Sequence, residues 1–260
     1  MTRTLIAIIA VVTLGRAAGL DRAAATPDLL ELAAKSAERE IAALSSVACT
    51  ETVVETKLNA RDKSEQRRRR TFDYLVLVDT EDGDLAITES RVEQGGSKKS
   101  DAKPLLASTG FATMMLILHP YYQNSFEFSD LGTVEEGGRP WRRLGFEFRP
   151  GERSPSVLRA GAREYPLTWR GEVRLDEATG RIASVRASLG SQLEEIGLES
   201  LETSVRYGPV PGQESGEWLP LEAVIDLKTR HQHWRNVHTF GAYRRFEVTT
   251  TEKREGAKEK

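Results

Sequence analysis

The sequence predicts an α+β chain that is mainly antiparallel β: a curved half-barrel sheet of about ten strands with two helices covering its concave face. Three observations carry this reading. One apolar stripe at helical spacing precedes Val47. Beyond it, long alternating segments separated by turn residues run to about Thr250, the pattern of antiparallel strands. A compact apolar block bracketed by Gly110 and Pro120 interrupts them.

The chain opens with Arg3 and an apolar run over residues 5–14 (LIAIIAVVTL). That is the length of a signal-peptide core and well short of the roughly 20 residues a spanning helix needs. Ala17 and Gly19 satisfy the small-x-small rule and place cleavage after Gly19; a cut near Ala23 to Ala25 is the alternative. The expected organisation is a signal peptide over 1–19, one β-rich domain over 20–250 and a charged tail over 251–260 whose composition is that of disorder. No cysteine near the cleavage region offers a lipid attachment point. The expected location is periplasmic or secreted, with no transmembrane segment in the mature chain; an uncleaved N-terminal anchor is the competing reading of the leader.

Thr26-Pro27-Asp28 starts the first helix, with Thr26 as N-cap, Pro27 in the first turn and an acid beside it. Leu30, Ala34, Ala37, Ile41 and Leu44 form its apolar stripe, and Glu31, Lys35, Glu38 and Glu40 its polar face. Strands are expected over 48–58, 67–78 and 85–93, the last two joined through Glu81-Asp82-Gly83-Asp84. A polar loop follows, then residues 111–118 (FATMMLIL), read as a short helix because Met is a poor strand former and Pro120 stops it. Strands resume over 125–131 and 141–148, where Leu144, Phe146 and Phe148 share a face. Two more, 168–175 and 181–189, are joined by the turn at 176–180, and 202–207, 219–227 and 234–250 complete the set. In the last of these, alternation puts His238, Phe240, Ala242, Phe246 and Val248 on one face with Arg244.

Composition narrows the function classes. There are 37 Lys and Arg against 39 Asp and Glu; losing Arg3 and Arg16 with the leader leaves 35 and a net charge of about −4. That balance argues against nucleic acid as a partner, because phosphate neutralisation needs a basic surface. Cys49 is the only cysteine, so no intramolecular disulfide forms, and on a strand it reads as a buried side chain.

Several segments together resemble the bacterial LolA/LolB-type lipoprotein-carrier superfamily, with its RseB/MucB sensor relatives. The likeness starts from Trp169-Arg-Gly-Glu-Val-Arg-Leu-Asp176 followed by Thr179-Gly-Arg-Ile182, a strand–Asp–Thr-Gly–strand hairpin. It continues in Val205-Arg-Tyr207, Trp218-Leu-Pro220 and Phe240-Gly-Ala-Tyr-Arg-Arg-Phe-Glu-Val248. The resemblance implies a hydrophobic cavity between a half-open barrel and helices that takes lipid or acyl chains. It brings no catalytic residues, and this chain lacks the lipid anchor of the LolB branch.

On that basis the ligand-facing candidates are Ile41, Phe111, Met114, Met115, Leu118, Tyr121 and Tyr122, since polarizable methionines adapt to an acyl chain. The competing reading is that the helix simply plugs the sheet as core. In the run Arg67-Arg-Arg-Arg70, alternation puts Arg68 and Arg70 on one face, where they would converge on an anionic group; a solvated edge strand is the plainer account. His231 and His233 share a strand face but have no third ligand at a defined spacing, so no metal is assigned. Asp79, Glu81, Asp82 and Asp84 lack the pattern of a calcium loop and read as a hairpin turn. The sequence has no Gly-x-Ser-x-Gly elbow, no His-Glu-x-x-His, no phosphate loop and no dinucleotide fingerprint, so the expectation is a protein that is not an enzyme and uses no cofactor.

The leading expectation is a periplasmic carrier for a lipid or acylated protein, requiring an apolar cavity open to solvent. An envelope sensor or protein-interaction module on the same scaffold, with an envelope protein as partner, is the first alternative. A hydrolase without a recognisable motif is the second, and it would need a polar cleft with converging carboxylates or histidines.

Overall fold

The computed structural model describes residues 23–81, 84–95, 105–160, 162–210 and 216–246. The leader, the polar loop before Leu105 and the charged tail read from the sequence lie outside the described residues. Helix α1 (Pro27–Leu44) begins after Thr26, whose backbone is extended but whose side chain makes no capping bond. Its buried stripe runs from Leu29 through Ala33, Ala37 and Ile41 to Leu44. Glu40 corrects the expected polar face: it is buried, and its Oε2 accepts the Trp218 N–H at 2.8 Å.

Ten strands follow in one open antiparallel sheet. They are β1 (Val47–Leu58), β2 (Ser64–Glu81), β3 (Asp84–Glu93), β4 (Phe126–Glu136), β5 (Arg139–Phe148), β8 (Trp169–Leu175), β9 (Ile182–Leu189), β10 (Leu198–Pro209), β11 (Trp218–Thr229) and β12 (His233–Arg245). Strands β6 (Val157–Ala160) and β7 (Arg163–Pro166) form a separate hairpin that the sequence reading did not contain. At four residues each they are too short to show a period.

The sheet order is β3-β2-β1-β12-β11-β10-β9-β8-β5-β4. Most neighbours are sequential hairpins, which need only local turns. Two pairings are not local. Strand β12 returns to β1, so Glu51 lies opposite Phe240, and β8 joins β5 across the β6–β7 hairpin. The edges are β3 and β4, and the segment at Ala23 to Ala25 lies along β4, where Asp130 N–H donates to Ala23 O at 2.8 Å.

The alternation read from the sequence holds along most strands, but β12 breaks it. His238 and Phe240 are buried as expected, then Ala242 adopts φ +49° at a register shift against β1 and is exposed. Such a bulge inverts the phase, so Tyr243 turns inward while Arg244 points out.

The apolar block is shorter and tighter than the expected helix. Met114–Leu118 form a 3₁₀ turn, and Pro120–Gln123 form the single α-turn α2. All five residues of the 3₁₀ turn are buried, each worth about 1.5–3 kcal/mol of apolar transfer. Tyr207 of β10 pins this turn to the sheet: its hydroxyl accepts the Met115 N–H at 3.1 Å and donates to Ala112 O at 3.2 Å. Gly180 in the Asp176–Thr179–Gly180 turn has φ +68°, and a Cβ there would lie 2.3 Å from Leu32 O of α1. The glycine is required twice, by its left-handed backbone and by the approach of the helix.

Candidate functional site

Helix α1 and the 3₁₀ turn fill much of the concave face, and the space they leave is an apolar cleft of about 500 Å³ beside them. Trp169, Leu201, Ile225 and Leu227, from β8, β10 and β11, supply its sheet side. Phe111, Met114 and the segment over 106–110 form one wall, and the β6–β7 hairpin with Val157 and Leu158 forms another. The sheet side is apolar because inward positions of central strands are buried between sheet and helix layers. The chain over 105–111 that walls the cleft forms no regular helix or strand.

The seven apolar candidates separate in space. Phe111 and Met114 line the cleft. Ile41, Met115 and Leu118 sit in the packed interior, none more than 2% exposed. Tyr121 and Tyr122 are half-buried and stack edge-to-face at 4.7 Å. The Tyr121 hydroxyl donates to Asp84 at 2.6 Å, which Arg153 also pairs. This is a surface clamp rather than a wall of the cleft. The remaining lining residues lacked a sequence signal, because alternation tells which side of a strand is inward but not which inward positions remain uncovered.

The inner face of β1, β2, β3 and β12 carries a polar cluster among apolar side chains such as Val53, Phe72, Tyr74 and Phe240. Arg68 and Arg70 share that face, both half-buried, and Arg70 is bound to the buried carboxylate of Glu55 and lies 5.2 Å over the Phe72 ring. Further along, Glu51, Glu55, Asn236 and His238 are each at most 2% exposed. Arg91 grips Glu51 with two donors, Nε to Oε2 and Nη2 to Oε1, the latter at 2.9 Å. Burial by itself raises the Glu51 carboxyl, but His238 and Arg91 outweigh it and hold it below its usual 4.5. On Arg91, burial is likewise outweighed by Glu51 and Glu89, which hold the guanidinium firmly charged.

This network reaches the cleft wall. His238 Nδ1 lies 2.7 Å from Glu51 Oε1 and its Nε2 lies 2.8 Å from Ser108 Oγ. Asn236 Nδ2 donates to Ser108 Oγ at 2.8 Å and to Leu106 O at 2.9 Å, and Leu105 N–H donates to Glu55 at 3.3 Å. The segment that walls the cleft is therefore tied to the sheet by buried polar side chains. His233 is occupied elsewhere, between Asp62 at 3.1 Å and Asp226 at 2.6 Å. Among the described residues no three metal-ligating side chains gather, and no helix is long and apolar enough to cross a membrane.

No protein-family profile and no curated protein matches the chain. Its structure is similar to several solved ones. A DUF1329 family protein from Desulfovibrio piger shares 10% identity over 86% of this chain and 94% of its own, at a TM-score of 0.44. A LolA superfamily protein from Nitrosomonas europaea shares 11% over 83% and 94%, at 0.39. A putative outer membrane lipoprotein-sorting protein domain from Vibrio parahaemolyticus shares 12% over 86% and 94%, at 0.47.

Proposed function

We propose that the chain is an exported periplasmic protein that holds an apolar ligand, a lipid or the acyl chain of an acylated protein, in the cleft beside the 3₁₀ turn. One observation carries this reading: a space of about 500 Å³ on the concave face, with Trp169, Leu201, Ile225 and Leu227 on one side and Phe111 and Met114 on another. That volume falls in the range of about 300–1,000 Å³ typical of ligand pockets. The chemistry fits an alkyl chain, which is recognised by area removed from water at about 0.8 kcal/mol per methylene rather than by a polar code. Met114 supplies a flexible, polarizable contact that adapts to chains of different length.

The test is direct. Mature protein purified without detergent is measured by native mass spectrometry and by titration with a fluorescent long-chain fatty acid. Saturable uptake is expected, and Ala107→Trp, which places an indole into the cleft from its exposed wall, should weaken it at least tenfold. Displacing only two methylenes from the cleft corresponds to about that loss. A wild-type protein that takes up no chain, or an unchanged affinity in the variant, would exclude this cleft as the binding site.

A further inference from the structure

We propose that Ser108 is an activated nucleophile and that the chain cleaves a carboxylic ester whose acyl chain occupies the cleft. The substrate class rests on the binding reading above; the nucleophile rests on separate geometry. Ser108 Oγ, His238 and Glu51 form a continuous relay with steps of 2.8 and 2.7 Å. These side chains come from residues 130 and 187 apart in the chain, on a loop and two neighbouring strands.

Proton positions in the relay are set by its two ends. Glu51, gripped by Arg91, is an ionised carboxylate and accepts only, so the proton between it and the ring sits on His238 Nδ1. Nε2 is then an acceptor. At the other end Asn236 Nδ2 donates to Ser108 Oγ, so the serine's own proton is free to point at Nε2. The whole chain runs one way, from hydroxyl to imidazole to carboxylate, as a general-base relay requires. Ser108 is a half-buried residue on the wall of the cleft, where a substrate can reach it, while His238 and Glu51 behind it are shielded from water.

The step balances without a cofactor. Oγ attacks the ester carbonyl carbon as its proton passes to His238 Nε2. The carbon–oxygen bond to the alcohol breaks and the alcohol leaves with that proton, giving acyl-Ser108. Water, deprotonated by the same nitrogen, then releases the carboxylic acid and restores the serine. Thr109 and Gly110 follow Ser108 on the same wall, and their backbone N–H groups donate to nothing among the described residues; such groups are the usual donors to a developing oxyanion. Glu51 and Arg91 touch no substrate and act as positioning residues for His238.

The experiment uses the wild-type mature chain and a fluorophosphonate bearing a decyl chain, with the adduct located by peptide mass spectrometry. The expected result is one covalent adduct, on Ser108, together with hydrolysis of p-nitrophenyl decanoate in preference to the acetate. Ser108→Ala should abolish both, and His238→Asn should slow labelling by roughly 100-fold or more, the contribution of a general base. Peptide mapping on the wild type decides the matter even where a variant fails to fold. No adduct, or an adduct on another serine only, overturns the nucleophile; if the fatty acid still binds, the cleft reading survives and the relay is only an anchor for the 105–111 segment. An adduct on Ser108 in a protein that binds no fatty acid upholds the nucleophile and removes the acyl-chain assignment instead.

Discussion

Replacing Glu51 with Gln tests whether the buried network beneath the cleft wall holds the fold as well as the loop. Glutamine keeps the volume and one acceptor oxygen, so no cavity opens and only the negative charge is lost. Glu51 is fully buried and takes two hydrogen bonds from Arg91 and one from His238. The Arg91 side chain, 17% exposed, then keeps Glu89 as its anionic neighbour among the described residues. Removing one member of a buried pair costs about 3–5 kcal/mol, because the other is left charged and dry. The surviving Glu89 contact and the remaining acceptor place the cost at the lower end, about 3 kcal/mol. For a chain of this size that lowers Tm by roughly 6–12 °C.

The assay is urea unfolding followed by tryptophan fluorescence, with Trp169, 1% exposed, reporting the core. The pH dependence adds a signed check. Burial raises the Glu51 carboxyl, yet His238 and Arg91 bring it below 4.5 in the folded protein. A depressed folded value means that its stabilisation is complete above 4.5 and disappears as pH falls through the folded value. The gap between wild type and Glu51→Gln should therefore be full at neutral pH and close in acid. A variant within about 0.5 kcal/mol of wild type at neutral pH, the range of ordinary surface substitutions, would refute this account of the network.

Glu40 behaves in the opposite sense: burial, its largest influence, raises the carboxyl above 4.5 despite the Trp218 N–H bond and Arg39. The folded protein then loses stability as pH rises from 4.5 through the folded value, so Glu40→Gln should melt above wild type at neutral pH and match it in acid. A lower melting temperature at neutral pH would contradict this. Gly180→Ala should cost at least about 1–3 kcal/mol for the left-handed backbone alone, with more from the contact against Leu32 O; an unchanged thermal midpoint would show that α1 does not press on that turn. Burial, reinforced by the charge of Glu51, pushes the Cys49 thiol up to about 12. Native protein should accordingly resist iodoacetamide at pH 8 and react fully in urea, and rapid native labelling would place Cys49 at the surface.

The elements themselves were legible because their causes are local. The spacing of Ala34, Ala37, Ile41 and Leu44 marks a helix whatever surrounds it, and alternation with turn residues marks the ten strands of the main sheet. Local rules failed where a position had a nonlocal neighbour. Glu40 looked like a surface acid until Trp218, 178 residues away, supplied the N–H that allows it inside. The phase of β12 was lost at Ala242, since a bulge there changes the register without changing composition. Tyr121 was grouped with the apolar candidates by sequence proximity, whereas Asp84 and Arg153 draw it to the surface.

By itself, then, the sequence determined the class of fold, the leading helix, the series of antiparallel strands and the glycine turn at 176–180, because propensity, periodicity and turn chemistry act over a few residues. The tertiary structure alone decided that β12 closes on β1, which places His238 against Glu51, and that the segment over 105–111 walls a cleft over the sheet. Strand pairing between distant segments and the space left by incomplete cover are properties of the folded packing. Neither has a period or a motif, so neither leaves a local mark in the chain.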